Sequence, residues 1–209
     1  MGDILIFTWL QLIPLLIIYS AVMFLRYRKR KTSFIQQIVY LSFFIYSVLV
    51  ISKTFLPIPI SKRYIQIIIE SDTAQKNNFI PFSDIYKLLM VNPNHLLDVI
   101  LKQIGGNILL LLPLGFYAPI LWKRFNKVKS VLALGFLVSS GIELTQLITS
   151  TILGVTYRSF VVDDIILNTI GVLTGYCLFK IISPLLINII KSIDTQNNKN
   201  LKLLNLWRD

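Results

Sequence analysis

Long apolar stretches alternate with short polar segments along most of the chain. Five of these stretches approach or exceed the roughly 20 residues that an α-helix needs to cross the hydrocarbon core of a bilayer. Most of the charged residues lie in the polar segments between them. The pattern predicts an all-α, multi-pass transmembrane bundle with five spans: Ile4–Leu25, Phe34–Leu56, Ile104–Trp122, Val131–Ser150 and Ile165–Ile190.

The composition agrees with a membrane protein. Apolar residues make up 55% of the 209 residues and charged residues 15%, whereas soluble domains carry about 25% charged residues. We therefore expect a single membrane domain over residues 1–209 that contacts membrane lipid and needs no cofactor. Within it, residues 1–38 would form the first span and a basic loop, 39–182 the core, and 191–209 a cytoplasmic tail.

The net charge of +11 raises the question of a nucleic-acid partner, which its distribution argues against. The Lys and Arg residues gather in short loops, chiefly Arg26–Lys31 and Lys123–Lys129, and form no separate basic domain. Because short cytoplasmic loops are rich in Lys and Arg, both loops should lie in the cytoplasm. The N-terminus and the segment Pro57–Gln103 would then lie outside, and the C-terminus inside.

The predicted outer segment carries patterns of its own. Asn77–Phe82 has the composition of a turn, and apolar residues then recur at helical spacing over Ile85–Leu89 and Leu96–Leu101. The spacing favours a pair of amphipathic helices on the membrane surface. A lid over the outer mouth of the bundle is the alternative.

An acidic residue inside the fourth predicted span is the main lead on function. Glu143 lies in Val131–Ser150, where a carboxylate costs roughly 2.5–3.5 kcal/mol on insertion scales, so it should face a protein interior or a wet cavity. Other polar residues share its predicted depth in the outer leaflet. The candidate polar cluster comprises Asn107, Glu143, Gln146, Arg158, Asp164 and Asn168.

Two interpretations of this cluster remain open. In the structural one, Arg158 pairs with a carboxylate, the amides bond between helices, and Asp163 or Asp164 caps the fifth span. Interhelical hydrogen bonds in membranes average only about 0.6 kcal/mol, which is too little to offset the cost of an unpaired Glu143. In the functional one, the cluster is a polar site open to the outer surface.

Small residues and prolines indicate where helices pack or bend. Gly171 and Gly175 form a Gly-x-x-x-Gly pair that allows close approach of two helices. Pro113 and Gly115 should break the third span near its middle, where a neighbouring helix would satisfy the freed backbone groups.

The sequence contains few residues that could support cysteine or histidine chemistry. Cys177 and His95 each occur once, so an intramolecular disulfide and a cysteine-based metal cluster are excluded. We expect Cys177 to be a small buried residue in the last span and His95 to lie on the surface, and we expect no metal site.

Four blocks in this order resemble the VanZ-like family. They are Asn107–Phe116, which contains Pro113 and Gly115, then Glu143–Gln146, then Arg158, and finally Asp164–Gly171. The run Asn78–Phe82 also resembles a family feature, and the likeness spans about residues 39–182. Val161 and Val162 are apolar where another acid is expected in many members, which weakens a metal-binding interpretation.

The resemblance implies a protein of the bacterial plasma membrane with a role in low-level resistance to teicoplanin, a lipoglycopeptide that acts outside the membrane. The first hypothesis is a non-enzymatic protein that binds a lipid or an antibiotic tail between its helices. The second is an intramembrane enzyme acting on a lipid-linked envelope substrate, with Glu143 as general base and Arg158 holding a phosphate. A small transporter is a third possibility. Catalytic residues cannot be assigned, because no nucleophile–base pair is evident.

Overall fold

A computed structural model describes residues 4–5, 17–25, 34–70, 76–83, 86–87, 90, 97 and 100–194. The chain divides into two compact units: one contains Pro59–Ile182, and the other contains Ile4–Ile58 and the chain from Ser183 onward. The described elements are almost entirely helical, which confirms the all-α prediction. Four helices among the described residues are long and apolar enough to cross a membrane: Gln36–Phe55, Ile100–Leu121, Val128–Leu153 and Val162–Leu185.

The unit that contains Ile4–Ile58 has two described helices. Helix α1 covers residues 17–25 and α2 covers Phe34–Phe55. The rings of Tyr19 and Phe44 stack with their centroids 4.6 Å apart. Most of the exposed side chains on both helices are apolar, as expected for helices that face lipid.

The first predicted span is only partly covered by the described residues. Ile4–Leu5 forms a short strand, β1, which pairs with β2 at Ile58–Pro59, so the prediction that a helix begins at Ile4 was wrong. Residues 6–16 lie outside the described part of the chain, so a membrane span within Ile4–Leu25, and with it the count of five spans, stays a prediction.

The unit that contains Pro59–Ile182 carries the core. It begins with helix α3 (Lys62–Glu70). A π-helical turn (Ile100–Gly105) leads into α4 (Gly106–Leu121). A 3-10 turn (Lys123–Asn126) connects α4 to α5 (Val128–Leu153). Helix α6 is Val162–Asp194, and it leaves this unit after Ile182.

Glycines let α4 and α6 touch backbone to backbone. A Cβ at Gly175 would lie 1.8 Å from the carbonyl oxygen of Leu112, and one at Gly171 would lie 2.2 Å from that of Ile108. From the other side, a Cβ at Gly115 would lie 1.8 Å from the carbonyl oxygen of Val172. No larger residue fits at these positions without moving a helix, so the glycines set the distance between α4 and α6.

The predicted break in the third span is wrong. Helix α4 runs without interruption from Gly106 to Leu121 and contains both Pro113 and Pro119. A proline removes one main-chain donor, but the close packing of α6 along the same turns holds α4 in place. Helix α6 likewise continues through Pro184.

The remaining predictions concern single residues and short segments. Cys177 is exposed on the surface of α6, so the prediction that it is buried was wrong. Helix α3 was not predicted. His95, most of the predicted amphipathic pair and the tail from residue 195 lie outside the described residues.

Candidate functional site

The candidate site is a cluster of polar side chains where α6 begins, and we call it the polar cluster. It joins the first turn of α4, the middle of α5, and the first two turns of α6. Acidic residues at the start of a helix interact favourably with its N–H groups, and α6 carries two in its first turn. The polar cluster comprises Asn107, Ser139, Glu143, Asp163, Asp164 and Asn168.

Glu143 is the acid at the centre of α5. Its side chain is 2% exposed, and its carboxylate accepts a hydrogen bond of 2.9 Å from the main-chain N–H of Val161. Val161 directly precedes α6, so its N–H has no partner within that helix. Glu143 therefore fixes the start of α6 against α5 and is itself held away from lipid.

Asp164 links α6 to α4. Its carboxylate accepts a hydrogen bond of 2.6 Å from the side-chain amide of Asn107. The carboxylates of Asp164 and Glu143 also interact electrostatically across the cluster. Each of the two carboxylates has its own donor, Asn107 for Asp164 and the Val161 N–H for Glu143.

Asn168 links α6 to α5 one turn deeper. Its side-chain amide donates to the hydroxyl of Ser139 at 3.0 Å, and that hydroxyl lies 3.5 Å from the carbonyl oxygen of Asp164. Both side chains are almost fully buried. The Oδ1 atom of Asn168 finds no hydrogen-bond partner among the described residues, so this end of the core retains an unused acceptor.

Asp163 connects the cluster to a distant segment of the chain. The side chain is 1% exposed, and its carboxylate accepts a hydrogen bond from the main-chain N–H of Phe82. Nearby, Asn78 pairs in parallel with Val161 through two main-chain bonds, from the Asn78 N–H to the Phe160 carbonyl and from the Val162 N–H to the Asn78 carbonyl. The start of α6 thus holds residues 78–82.

The two remaining predicted residues lie near the cluster. Gln146 is buried on α5, one turn beyond Glu143. Arg158 lies in the connection between α5 and α6, and its carbonyl oxygen accepts a hydrogen bond of 2.9 Å from the hydroxyl of Ser150. Burial raises the pKa of the Tyr157 phenol next to it, and the Arg158 guanidinium acts in the opposite direction.

A cavity of about 450 Å³ adjoins the end of α5. Ser150, Thr151, Thr156 and Asn77 contribute polar atoms to its wall, and Ile69 and Leu147 contribute apolar ones. The α5 helix ends beside it at Gly154, whose φ of 70° lies in the left-handed region. The cavity is open to its surroundings, and its wall mixes polar and apolar side chains.

Ser139, Ser150 and Asp163 were not included in the candidate cluster predicted from the sequence, although the helical spacing of the two serines indicates their position. Ser139 precedes Glu143 by four residues and shares its helix face, and Ser150 continues the same buried stripe. Asp163 was considered only as a helix cap. Its partner at Phe82 is 81 residues away and donates through the main chain, which no side-chain pattern can reveal.

The three acids of the cluster act as hydrogen-bond acceptors. No group of three or more His, Cys, Asp or Glu side chains among the described residues is arranged to hold a metal ion. Glu143 and Asp163 each accept a main-chain N–H, and Asp164 accepts a side-chain amide. The geometry positions segments of the chain against one another.

The fold and the cluster together define a multi-pass helical membrane protein with a hydrogen-bonded polar site at one end of its core. The family model described as VanZ/LLP1 matches residues 43–183, which is more than half of the chain. The protein therefore belongs to the VanZ/LLP1 family, and the predicted membership of the VanZ-like family is confirmed. A search of curated proteins and a search of solved structures gave no match.

Proposed function

We propose that this protein contributes to low-level resistance to teicoplanin and related lipoglycopeptides at the outer surface of the bacterial plasma membrane. The polar cluster and the adjoining cavity would bind or exclude the antibiotic or a membrane lipid there. The proposal depends on the family for the antibiotic link. It depends on the position of the polar cluster for the outer-surface link.

The observation that carries the proposal is the charge difference between the two ends of the α4–α6 core. The acids Glu143, Asp163 and Asp164 lie where α6 begins, whereas the connection from α4 to α5 is basic, with Lys123 and Arg124 exposed. Because basic connections favour the cytoplasmic side, the polar cluster would face outward. A lipoglycopeptide reaches the membrane from that side.

The hydrogen bonds of the cluster favour a role without covalent chemistry. A general base must come within hydrogen-bond reach of a substrate proton. One carboxylate oxygen of Glu143 is bound to the N–H of Val161, and the side chain is only 2% exposed, so a substrate would have to enter the packed core to reach the other oxygen. An intramembrane enzyme acting on a lipid-linked substrate remains the alternative, and turnover of lipid-linked cell-wall precursors by the purified protein would establish it.

Resistance assays at matched expression test the proposal. We expect Glu143→Ala and Asp164→Ala to lower the teicoplanin concentration that a susceptible host withstands, because each removes an acceptor from the cluster. Leu144→Ala is the matched control, since Leu144 is an exposed apolar residue on the same helix. Unchanged resistance in both acidic variants, with the protein present in the membrane, would remove the polar cluster from the function.

A further inference from the structure

Residues 79–82 present a cluster of exposed apolar side chains beside the start of α6. Phe79 is 60% exposed, Ile80 is 68% exposed and Phe82 is 59% exposed. We call these three residues the apolar ridge. Large apolar side chains that are contiguous and exposed commonly mark a surface that contacts a membrane or a partner.

The apolar ridge is held firmly although its side chains are exposed. Asn78, immediately before it, bonds through its main chain to Phe160 and Val162, and its side chain accepts the N–H of Ile80 at 3.1 Å. The rings of Phe79 and Phe160 stack with centroids 5.0 Å apart. The ridge is therefore fixed to the connection that leads into α6.

The backbone at Phe82 is strained, and the buried acid of the polar cluster holds it in place. Phe82 has a φ of 62°, in the left-handed region that bulky residues rarely adopt. Its N–H donates to Asp163, whose side chain is 1% exposed. Strained residues persist where the surroundings determine their conformation, and they concentrate at functional positions. Here a buried carboxylate maintains the display of an exposed aromatic ring.

The level of the ridge along α5 and α6 indicates which surface it contacts. It is bonded to residues 160–163, where the membrane-spanning stretch of α6 begins at Val162. At the same end of the core, Ile152 in the last turn of α5 is 78% exposed and Ile148 is 57% exposed. The exposed apolar surface of α5 thus continues to the last turn of that helix. This places the ridge at the edge of the hydrocarbon core. Phe and aliphatic side chains enter the boundary between head groups and acyl chains where an apolar surface lies along a bilayer.

We propose that the apolar ridge enters the lipid at the boundary between head groups and acyl chains, held there by Asp163 and the paired Asn78. The polar cluster then has a specific task, because its hydrogen bonds keep an otherwise unfavourable apolar surface directed at the bilayer. This role does not require the antibiotic function. Lipid acyl chains are the occupant, and a second copy of the protein is the competing outcome.

Tryptophan fluorescence in vesicles tests this directly. Trp9, Trp122 and Trp207 are replaced by Phe, and Ile80→Trp supplies a single reporter in phosphatidylcholine vesicles brominated at shallow or deep acyl positions. We expect shallow bromines to quench the reporter at least roughly twofold more than aqueous iodide does, since interfacial apolar residues sit in the head-group and acyl boundary. Lys76→Trp, exposed on the same segment, is the matched control and should respond to iodide.

Three outcomes would count against insertion of the ridge into lipid. Quenching of Ile80→Trp by iodide alone would overturn the proposal, and so would equal lipid quenching at both positions, because the ridge would then have no special depth. Efficient cross-linking between copies through Ile80→Cys in a Cys177→Ser background, without lipid quenching of Ile80→Trp, would assign the surface to self-association and also overturn the proposal.

A second pair of variants tests the part played by Asp163. Asp163→Val in the Ile80→Trp background should reduce lipid quenching, whereas Asp163→Asn keeps an acceptor for the Phe82 N–H and should preserve it. Lipid quenching that persists in the folded Asp163→Val protein would remove Asp163 from the proposal. Measuring resistance on the same variants separates the two proposals: lipid insertion without resistance contradicts only the proposed function.

Discussion

The two ends of the α4–α6 core are built from different chemistry. At the end where α6 begins, carboxylates and amides form hydrogen bonds: Glu143, Asp163 and Asn168 are buried, and Asn107 and Asp164 are half-buried. At the other end the contacts are mainly aromatic: the rings of Phe116 and Phe179 meet edge to face at 6.0 Å, and Arg124 lies 4.6 Å from the centroid of the Phe125 ring. The Tyr176 hydroxyl donates to the carbonyl of Asn126 at 2.6 Å.

This difference predicts which end of the core tolerates substitution less well. The cations at the aromatic end, Arg124 and Lys180, are exposed and keep their hydration, so losing a contact there leaves no buried charge. The acceptors Glu143 and Asp163 at the polar end are buried, and leaving a buried partner unsatisfied costs about 1–3 kcal/mol. Substitutions at the polar end should therefore matter more than substitutions at the aromatic end.

The largest effect is expected from pushing α4 and α6 apart beside the polar cluster. In Gly171→Ala the new methyl group would meet the carbonyl oxygen of Ile108 at 2.2 Å, which should destabilise the fold by about 1–3 kcal/mol or more. Thermal unfolding in detergent measures the change. Gly141→Ala is the control, because no atom lies within 4 Å of the added Cβ. Equal stability of the two variants would contradict the close packing described for α4 and α6.

Removing the central acceptor should have the next largest effect. Glu143→Ala leaves the Val161 N–H without its partner, at an expected loss of about 1–3 kcal/mol, while Glu143→Gln retains a carbonyl acceptor and should lose much less. Unfolding midpoints in detergent compare the two with Leu144→Ala. A Gln variant as unstable as the Ala variant would show that the hydrogen bond to Val161 is not what Glu143 supplies.

The link between Asn107 and Asp164 should show a smaller, measurable coupling. A double-mutant cycle with Asn107→Ala and Asp164→Ala isolates the pair, and we expect about 0.6–1.7 kcal/mol, the range for interhelical hydrogen bonds in membranes. Unfolding free energies of the four proteins provide the cycle. Strict additivity would mean that the contact of 2.6 Å contributes nothing of its own.

The smallest effect is expected at the aromatic end. Tyr176→Phe removes one hydrogen bond to Asn126 and keeps the ring, so stability should fall by about 0.5–1.5 kcal/mol, and teicoplanin susceptibility should not change. The same assays used for the polar cluster measure both quantities. A loss of resistance as large as that expected for Glu143→Ala would erase the functional distinction between the two ends.

The sequence predicted the helices well because apolar length is a direct physical requirement of a membrane span. Phe34–Leu56 differs from α2 by one residue at its end. Glu143, Asp164, Asn107 and Asn168 could also be grouped from depth alone, since helices fix the level of each side chain. Their hydrogen-bond partners could not be predicted.

Interactions that depend on the main chain or on distant segments left little trace in the sequence. The donors to Glu143 and Asp163 are N–H groups of Val161 and Phe82, which carry no side-chain signature. Pro113 suggested a break, but packing of α6 against α4 outweighs the missing donor. Local propensity yields to tertiary contact in such cases.

The central claim is that the buried carboxylate of Glu143 fixes the start of α6 through the N–H of Val161. Hydrogen exchange of that single amide, followed by NMR in detergent or nanodiscs, tests it most directly. Slow exchange in the native protein and in Glu143→Gln, with fast exchange in a folded Glu143→Ala, is the predicted result. Fast exchange of the Val161 amide in the native protein would contradict the account.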